Sequence, residues 1–258
     1  MNEIFSIRNR TAIVTGGARG IGRMIAEGFT KAGAKVYITA RDEKKCAEAA
    51  NQMSGFGTCL PLPVDLSDPG NIKTMSEQFA RQEDKLDILV NNAGKSWGAP
   101  LESFPDKAWN SVMSVNVQSP FTLVRDLLPL LKSGASADDP SRVINIGSVS
   151  GLVSADLEAY SDSASKAAIH HLTRVLAKDL AGDHINVNAV APGFFPSDMT
   201  AHLRQDDAVL SKLLSGIPMG RLGKPTDISG LCVFLSSIAG AYMTGVVIPL
   251  DGGLVCNY

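Results

Sequence analysis

Length, composition and charge narrow the class of protein. The chain has 258 residues, 45% of them hydrophobic, and no linker-like stretch divides it, so we expect one large domain. Its 24 Lys and Arg residues nearly balance its 26 Asp and Glu residues, which argues against a nucleic-acid or anionic-membrane surface. Because no apolar run reaches membrane-spanning length and the start lacks a secretory signal pattern, we expect a cytoplasmic protein without a membrane partner.

The four cysteines give no sign of a metal site or a disulfide. They lie far apart along the chain and fit no metal-binding or redox spacing: Cys46, Cys59, Cys232 and Cys256. We therefore expect reduced thiols and no bound metal.

Residues 11–22 form an apolar strand pattern that runs into a glycine-rich loop and the start of a helix. Gly16 can adopt the positive φ of a tight turn, and Gly20 and Gly22 have no Cβ to block a close backbone approach. The first N–H groups of the helix would attract a pyrophosphate. The pattern predicts a phosphate-binding loop that also contains Arg19 and Ile21, although three glycines also occur in ordinary loops.

Strand and helix patterns alternate about seven times along the chain. Further strands are predicted at 34–40, 59–64, 86–90, 142–146, 185–190 and 246–250. Further helices are predicted at 43–53, 69–83, 105–132, 159–181 and 225–236. This alternation predicts the α/β class, with a doubly wound parallel sheet of about seven strands and right-handed crossovers. A nucleotide would lie across the carboxyl ends of the strands.

Three motifs carry a resemblance to a known family. The glycines have the spacing G-x-x-x-G-x-G, the fourth strand ends in N-N-A-G at 91–94, and the sixth is followed by Pro192 and Gly193. Together they resemble the short-chain dehydrogenase/reductase family over nearly the whole chain. The resemblance implies a Rossmann-type domain in which Pro192, Gly193 and Phe195 lie beside a nicotinamide. It also implies nucleotide contacts from the motif residues Asn91, Asn92, Ala93 and Gly94.

The end of the second strand favours NADP(H) as the cofactor. NAD enzymes of this architecture place an acidic residue there, whereas this chain has Arg41 and a second cation, Arg19, in the glycine loop. Two arginines would suit a ribose 2′-phosphate. Alternatively, Arg41 merely begins a solvated helix and Asp42 reaches the ribose.

The third strand is followed by an aspartate at the adenine end of the expected site. The family resemblance implies that Asp65, followed by Leu66, contacts the adenine. An aspartate that caps a turn or a helix is an equally good interpretation of Asp65.

The catalytic residues implied by the resemblance are a Ser, a Tyr, a Lys four residues after the Tyr, and an Asn that relays protons. Ser148, Lys166 and Asn116 stand at three of these places, but Asp162 stands where the family has its proton-donating Tyr. Without the resemblance, Asn116 reads as a helix-surface residue. Residues four apart share a helix face, so the Lys can lower the pKa of a Tyr at that place.

Asp162 predicts a slow or silent site. Beside Lys166 its carboxyl should be ionised, and a carboxylate accepts hydrogen bonds but donates none. It is also too short to reach the carbonyl that a phenol would reach. Tyr160 could substitute, but it lies about 200° away around a helix. Alternatively, Asp162 and Lys166 form only a surface ion pair.

The subgroup that the chain resembles most is the β-ketoacyl reductases, including those that serve fatty-acid or rhamnolipid synthesis. This implies NADPH-dependent reduction of a 3-oxoacyl thioester, with substrate bound by a loop at about 194–220. Another small ketone or alcohol, or a silent NADP(H)-binding protein, remains an alternative. Several apolar side chains would line the acyl site or belong to the core: Trp97, Phe194, Phe195, Met199 and Leu203.

The predicted helix at 159–181 gives information about oligomerisation and about binding of a carrier protein. It carries an apolar stripe that includes Leu172, Val175 and Leu176. The family resemblance implies that this helix packs across a homodimer, usually within a homotetramer. Asp179 and Asp183 stand where a carrier protein would prefer basic residues, so the carrier of the acyl group stays open. His170 and His171 fit no metal or triad spacing and are predicted to be surface or interface residues.

Overall fold

The computed structural model describes residues 3–154, 158–196 and 206–257. Within these ranges the strands are β1 (Thr11–Val14), β2 (Lys35–Ile38), β3 (Cys59–Pro61), β4 (Ile88–Asn91), β5 (Ser141–Ile146), β6 (Ile185–Pro192) and β7 (Val247–Leu250). The α-helices are α1 (Gly20–Lys31), α2 (Glu43–Met53), α3 (Pro69–Ala80), α4 (Asp106–Met113), α5 (Ser119–Gly134), α6 (Tyr160–Leu180), α7 (Asp207–Ser215) and α8 (Pro225–Ser236).

The seven strands form one parallel sheet in the order β3-β2-β1-β4-β5-β6-β7. The chain winds outward from β1 to one edge and then from β4 to the other, so the strand order reverses between β1 and β4. In sheets of this kind the ends of the strands at the reversal leave a crevice for ligands. The predicted α/β class and doubly wound Rossmann-type sheet are therefore confirmed.

The core lies on both faces of the sheet. On β1, Val14 points into a cluster with Phe29 of α1 and Ile228 of α8, whereas Ile13 points into a cluster with Phe79 and Leu127 on the opposite face. All these side chains are buried. A parallel sheet covered by helices on both sides needs such continuous apolar strands, which is why β1 shows no polar alternation.

Several boundaries differ from the predicted ones. The helix predicted at 105–132 is broken by a π-helical segment, Ser114–Gln118, between α4 and α5. The third strand is shorter than predicted, although Leu62 and Val64 still donate to the carbonyl oxygens of Ile38 and Ala40. Pro61 and Pro63 are tolerated because β3 is an edge strand, where their nitrogens face no neighbouring strand. The predicted substrate loop contains α7, whose N-cap is Asp206.

Two further observations concern the classes of site that the sequence disfavoured. Among the described residues, no helix is both long and apolar enough to cross a membrane. In the same ranges, no group of three or more His, Cys, Asp or Glu side chains could hold a metal ion. Cys46, Cys59 and Cys232 are buried free thiols, and Cys256 is an exposed one.

The contact between α1 and α8 yields a stability prediction. A Cβ on Gly28 of α1 would overlap the Cβ of Ser229 on α8, so Gly28→Ala must push the helices apart. We expect it to lower the free energy of unfolding by about 1–3 kcal/mol. Gly230→Ala is the matched control, because a Cβ there meets nothing within 4 Å. It should stabilise α8 by about 0.5–1 kcal/mol. Equal effects in urea denaturation would contradict the close packing.

Candidate functional site

The glycine loop lies where β1 leaves the sheet. Gly16 and Gly20 have φ values of 64° and 54°, which favour glycine, and α1 begins at Gly20 directly after the extended Arg19. A Cβ on Gly22 would overlap the Nδ2 atom of Asn92. Ile21 is half-buried and packs against the core. The loop therefore exposes backbone at the carboxyl edge of the sheet, with no room for larger side chains at its turns.

A residue that the sequence analysis missed ties this loop to β4. The Thr15 hydroxyl donates to the carbonyl oxygen of Val90 (3.2 Å) and accepts from the N–H groups of Asn92 (2.9 Å) and Ala93 (3.0 Å). The Asn92 amide returns a hydrogen bond to the carbonyl oxygen of Thr15 at 2.9 Å. The signal was present in the sequence, since Thr15 is the polar residue between an apolar strand and Gly16.

The adenine end of the expected site is an open cavity of about 350 Å³, which both Arg41 and Asp65 line. One Asp65 oxygen accepts from the N–H (3.0 Å) and hydroxyl (2.8 Å) of Ser67, and these bonds lower the pKa of the Asp65 carboxyl. Asp65 is therefore a turn-forming aspartate, as the alternative interpretation allowed. Asp42 caps α2 by accepting a hydrogen bond from the N–H of Lys45 at 3.0 Å. This role in the helix cap disfavours the alternative in which Asp42 binds the ribose.

Some predicted contact residues direct their side chains into the core. Leu66 is buried, and the Asn91 amide donates to Oδ1 of buried Asn145 at 2.9 Å. Phe195 is also buried, and a Cβ on Gly223 would overlap its ring. Phe195 therefore belongs to the core, which is one of the two interpretations that the sequence left open. The fold needs these side chains to fill the space beneath the strand ends, so their backbone is what faces the edge.

The end of β6 carries the predicted Pro192 and Gly193. The N–H of Gly193 donates to the carbonyl oxygen of Leu250 on β7 at 3.0 Å, and a Cβ on Gly193 would come within 2.9 Å of Asp251 Cα. The following Phe194 is half-buried. Met199 and Leu203 lie outside the described residues.

Asn116 lies in the π-helical segment and is buried, so the helix-surface interpretation is wrong. Its Oδ1 accepts from the N–H of Lys95 (2.8 Å), and its Nδ2 donates to the Lys95 carbonyl oxygen (2.9 Å). The same Nδ2 donates to Oγ of Ser165 (2.9 Å) and to Oδ1 of Asp162 (3.3 Å). The π-turn turns this amide inward, and π-turns are frequent at functional sites.

Lys166 lies on α6, one turn after Asp162. Its ammonium donates to the carbonyl oxygen of Ile146 at 3.1 Å, and a Cβ on Gly94 would lie 3.7 Å from Nζ. Burial lowers the pKa of Lys166, while the negative charge of Asp162 opposes this shift. The ammonium therefore lies between the end of β5 and the motif at the end of β4.

Asp162 and Lys166 do not form the surface ion pair that the sequence left as an alternative. In the part of the chain that the structure describes, its carboxylate has no cationic partner within 4 Å, and Lys166 bonds to Ile146 instead. Burial raises the pKa of the Asp162 carboxyl, despite the opposing effects of Lys166 and of the hydrogen bond from Asn116. The surface ion pair is therefore wrong, and burial works against the ionised state that the sequence predicted.

Ser148 and Tyr160 each have local contacts of their own. Ser148 follows β5, and its Oγ accepts from the N–H (3.1 Å) and hydroxyl (3.0 Å) of Ser150. Tyr160 is the first residue of α6, and its ring packs edge-to-face on Phe104 with centroids 5.6 Å apart. This contact holds Tyr160 against the loop before α4, which disfavours it as a substitute proton donor. Trp97 on the loop after β4 is exposed.

The whole chain was compared with known proteins. Residues 16–255 match a family profile described as enoyl-(acyl carrier protein) reductase. The 3-oxoacyl-(acyl-carrier-protein) reductase of rhamnolipid biosynthesis from Pseudomonas aeruginosa is 51% identical, over 98% of this chain and 99% of the relative. The chain belongs to the short-chain dehydrogenase/reductase family. This family of oxidoreductases is the one that the glycine loop and the motif at 91–94 resemble.

Two further relatives show the range of the family. A structure described as a Pseudomonas aeruginosa RhlG/NADP active-site complex superposes with a TM-score of 0.96 at 51% identity, covering 98% of this chain and 99% of that one. The 2-dehydro-3-deoxy-D-gluconate 5-dehydrogenase of Pseudoalteromonas atlantica is 34% identical over 98% of both chains. This short-chain reductase fold therefore serves both lipid and sugar chemistry among the relatives of the chain.

His170 corrects a further prediction. It is buried beneath Gly147 rather than at the surface, whereas His171 is exposed. Burial lowers the pKa of His170 to about 4, the charges of Lys166 and Arg174 act in the same direction, and the nearby Gly151 backbone opposes it. The helical period contained the signal, because residue 170 is one turn from Lys166 and shares its face.

The hydrogen bonds of Thr15 yield a prediction. Thr15→Val removes the acceptor of two N–H groups, and we expect the free energy of unfolding to fall by about 2 kcal/mol. Thr15→Ser is the matched control because it keeps the hydroxyl, and it should lie close to the parent chain. Urea denaturation of the three chains measures the difference, and an unaffected Thr15→Val variant would show that the hydroxyl does not hold the two strands.

The pKa of His170 yields a pH prediction. Because the folded-state pKa is below the unfolded value of 6.5, the unfolded chain binds the extra proton between about pH 6.5 and 4. The stability contribution is complete above this window, and about 3 kcal/mol is lost as the pH falls through it. His170→Gln should flatten the pH dependence, whereas His171→Gln should not, since it removes no buried imidazole. Identical slopes for all three chains would refute the assignment.

Proposed function

We propose that this chain binds NADP(H) and that its site is built to reduce a 3-oxoacyl thioester to the 3-hydroxyacyl product. The observation that carries the proposal is that Lys166 and Asn116 meet beside Gly94 at the carboxyl edge of the sheet, where a Cβ on Gly94 would lie 3.7 Å from the Lys166 ammonium and 3.6 Å from Oδ1 of Asn116. The Lys166 ammonium also donates to the carbonyl oxygen of Ile146, two residues before Ser148. The 51% identity to a 3-oxoacyl reductase supports the same substrate class.

The described residues fit this cofactor. Gly16 and Gly20 have positive φ values, a Cβ on Gly22 would overlap Asn92, and the first turn of α1 offers N–H groups to a pyrophosphate. Arg41 lies beside the Asp65 turn in the open cavity, where its guanidinium would pair with a 2′-phosphate. Lys166, Gly94 and the Pro192–Gly193 turn would hold the nicotinamide half. When bound, NADPH supplies the hydride.

The residues of this chain would polarise the substrate and manage the proton. The Ser148 hydroxyl can donate to the carbonyl oxygen of the substrate, and the Lys166 ammonium adds a positive charge near it. Asn116 links Asp162 and Ser165 to the Lys95 backbone, which gives a path for proton exchange. Asp162 has a short carboxyl where a phenol would reach the carbonyl. We therefore propose that proton delivery is impaired in this chain.

The loop between β4 and α4 bears on the class of substrate. Trp97 and Leu101 are exposed apolar side chains on the loop between β4 and α4, and they suit an acyl chain. Asp179 and Asp183, near the end of α6, would repel an acidic carrier protein, so coenzyme A is as good a candidate for the acyl carrier.

A second candidate substrate is another small ketone or alcohol, which the relationship to a sugar dehydrogenase favours. A further candidate function is that of an NADP(H)-binding protein without catalytic activity, which the presence of Asp162 in place of a proton-donating Tyr favours.

The expected partners and location are proposals of the same kind. Phe121 on α5 and Val175 on α6 are exposed apolar residues, and Val175 belongs to the predicted stripe. We propose that these helices pack across a homodimer or homotetramer in the cytoplasm.

A pair of substitutions at one position tests the impaired proton donor. Asp162→Tyr supplies a phenol one turn from Lys166, and we expect the rate of NADPH oxidation with a short 3-oxoacyl thioester to rise about 10²–10⁴-fold. Asp162→Phe is the matched control, because it supplies the ring without the hydroxyl and should stay slow. NADPH binding, followed by fluorescence, should be similar in all three chains.

Two outcomes would contradict this part of the proposal. If the parent chain is already as fast as Asp162→Tyr, the carboxyl does not impair proton delivery. If Asp162→Tyr reduces sugars or other small ketones faster than the 3-oxoacyl thioester, the substrate class is wrong although the reductase assignment stands.

A further inference from the structure

We propose that the imidazole of His170 supports the loop that carries Ser148, and that His170 is therefore a positioning residue of the reductase site. The proposal rests on the proposed function only in assigning a role to Ser148. The support itself is a structural relationship between α6 and the loop at 147–151.

The loop lies directly on one turn of α6. A Cβ on Gly147 would overlap Nε2 of His170 and lie 2.6 Å from its Cδ2. A Cβ on Gly151 would lie 2.6 Å from the carbonyl carbon of Lys166 and 2.7 Å from the N atom of Ala167. Ser148 stands between these two contact points, so its height above the helix is fixed on both sides.

The contacts within the loop do not fix that height. Ser148 accepts from the N–H and the hydroxyl of Ser150, but both groups belong to the same loop and would move with it. The start of the loop is anchored by the bond from Lys166 to Ile146 and by the bond from the N–H of Gly147 to the carbonyl oxygen of Val190 at 2.8 Å. Beyond Gly147, the support beneath Ser148 comes from the contact of the loop with α6. Because Lys166 and His170 are four residues apart on one face, the same helical turn supplies the ammonium and the support beneath Ser148.

The imidazole is buried against both ends of this loop. His170 is 2% exposed, its ring lies against Gly147, and the backbone of Gly151 lies close enough to the ring to oppose the fall in its pKa. A flat ring against a residue with no side chain gives a close, rigid contact. Lys166 and Arg174 are the charged groups near the ring, and both favour its neutral form.

A double-mutant cycle tests the contact. In the Asp162→Tyr background, Gly147→Ala should lower kcat at least about tenfold by displacing Ser148, with the KM for NADPH unchanged. His170→Ala should lower kcat less, and adding it to Gly147→Ala should recover about fivefold, because the methyl group then has room. Multiplicative, uncoupled effects would overturn the proposal, as would a Gly147→Ala variant with normal kcat. If His170→Ala does not fold, His170→Asn serves in the same cycle.

A second measurement does not depend on activity. Ser148→Cys in a Cys256→Ser background places a reporter thiol on the loop, since the other cysteines are buried. We expect Gly147→Ala to change its rate of alkylation by iodoacetamide at least about threefold, and His170→Ala to reverse most of that change. An unchanged rate would overturn the support. If the alkylation cycle shows coupling and no variant reduces a 3-oxoacyl substrate, the proposed function fails and the support stands.

Discussion

The hydrogen bonds of Thr15 hold together the two strands on which the site depends. At the reversal of strand order, β1 and β4 are neighbours whose chains then leave the sheet toward different helices. One hydroxyl bonds to Val90, Asn92 and Ala93, and Asn92 bonds back to the Thr15 carbonyl. This junction keeps the glycine loop and the motif at 91–94 at a fixed separation, so that a crevice lies between them.

The second half of the site is organised by a single helix. One face of α6 carries Asp162, Lys166 and His170 at successive turns, and Ser165 joins them through Asn116. Lys166 is held by Ile146 at the end of β5, whereas Asp162 is held by the π-helical segment between α4 and α5. The carboxyl of Asp162 and the ammonium of Lys166 are therefore held by different elements, although they lie one turn apart on the same helix.

Sequence patterns were sufficient for the sheet and for the residues at its carboxyl edge. Alternation of buried strands and amphipathic helices is a local property, and the glycines mark turns that other residues cannot make. The burial of particular side chains was not predictable in the same way. His170 and Phe195 are covered by glycines distant in sequence, Gly147 and Gly223, and no local pattern reveals that contact. The environment of Asp162 was not predictable for a related reason: spacing placed its carboxyl beside Lys166, but burial controls the direction of its pKa shift.

The most direct test of the account is calorimetric titration of the parent chain with NADPH and with NADH. The account predicts that NADPH binds at least about tenfold more tightly, because Arg41 lines the cavity that would hold a 2′-phosphate. It predicts this result whether or not Asp162 allows turnover. Failure to bind either nucleotide, or equal affinity for both, would contradict the assignment of the crevice as an NADP(H) site.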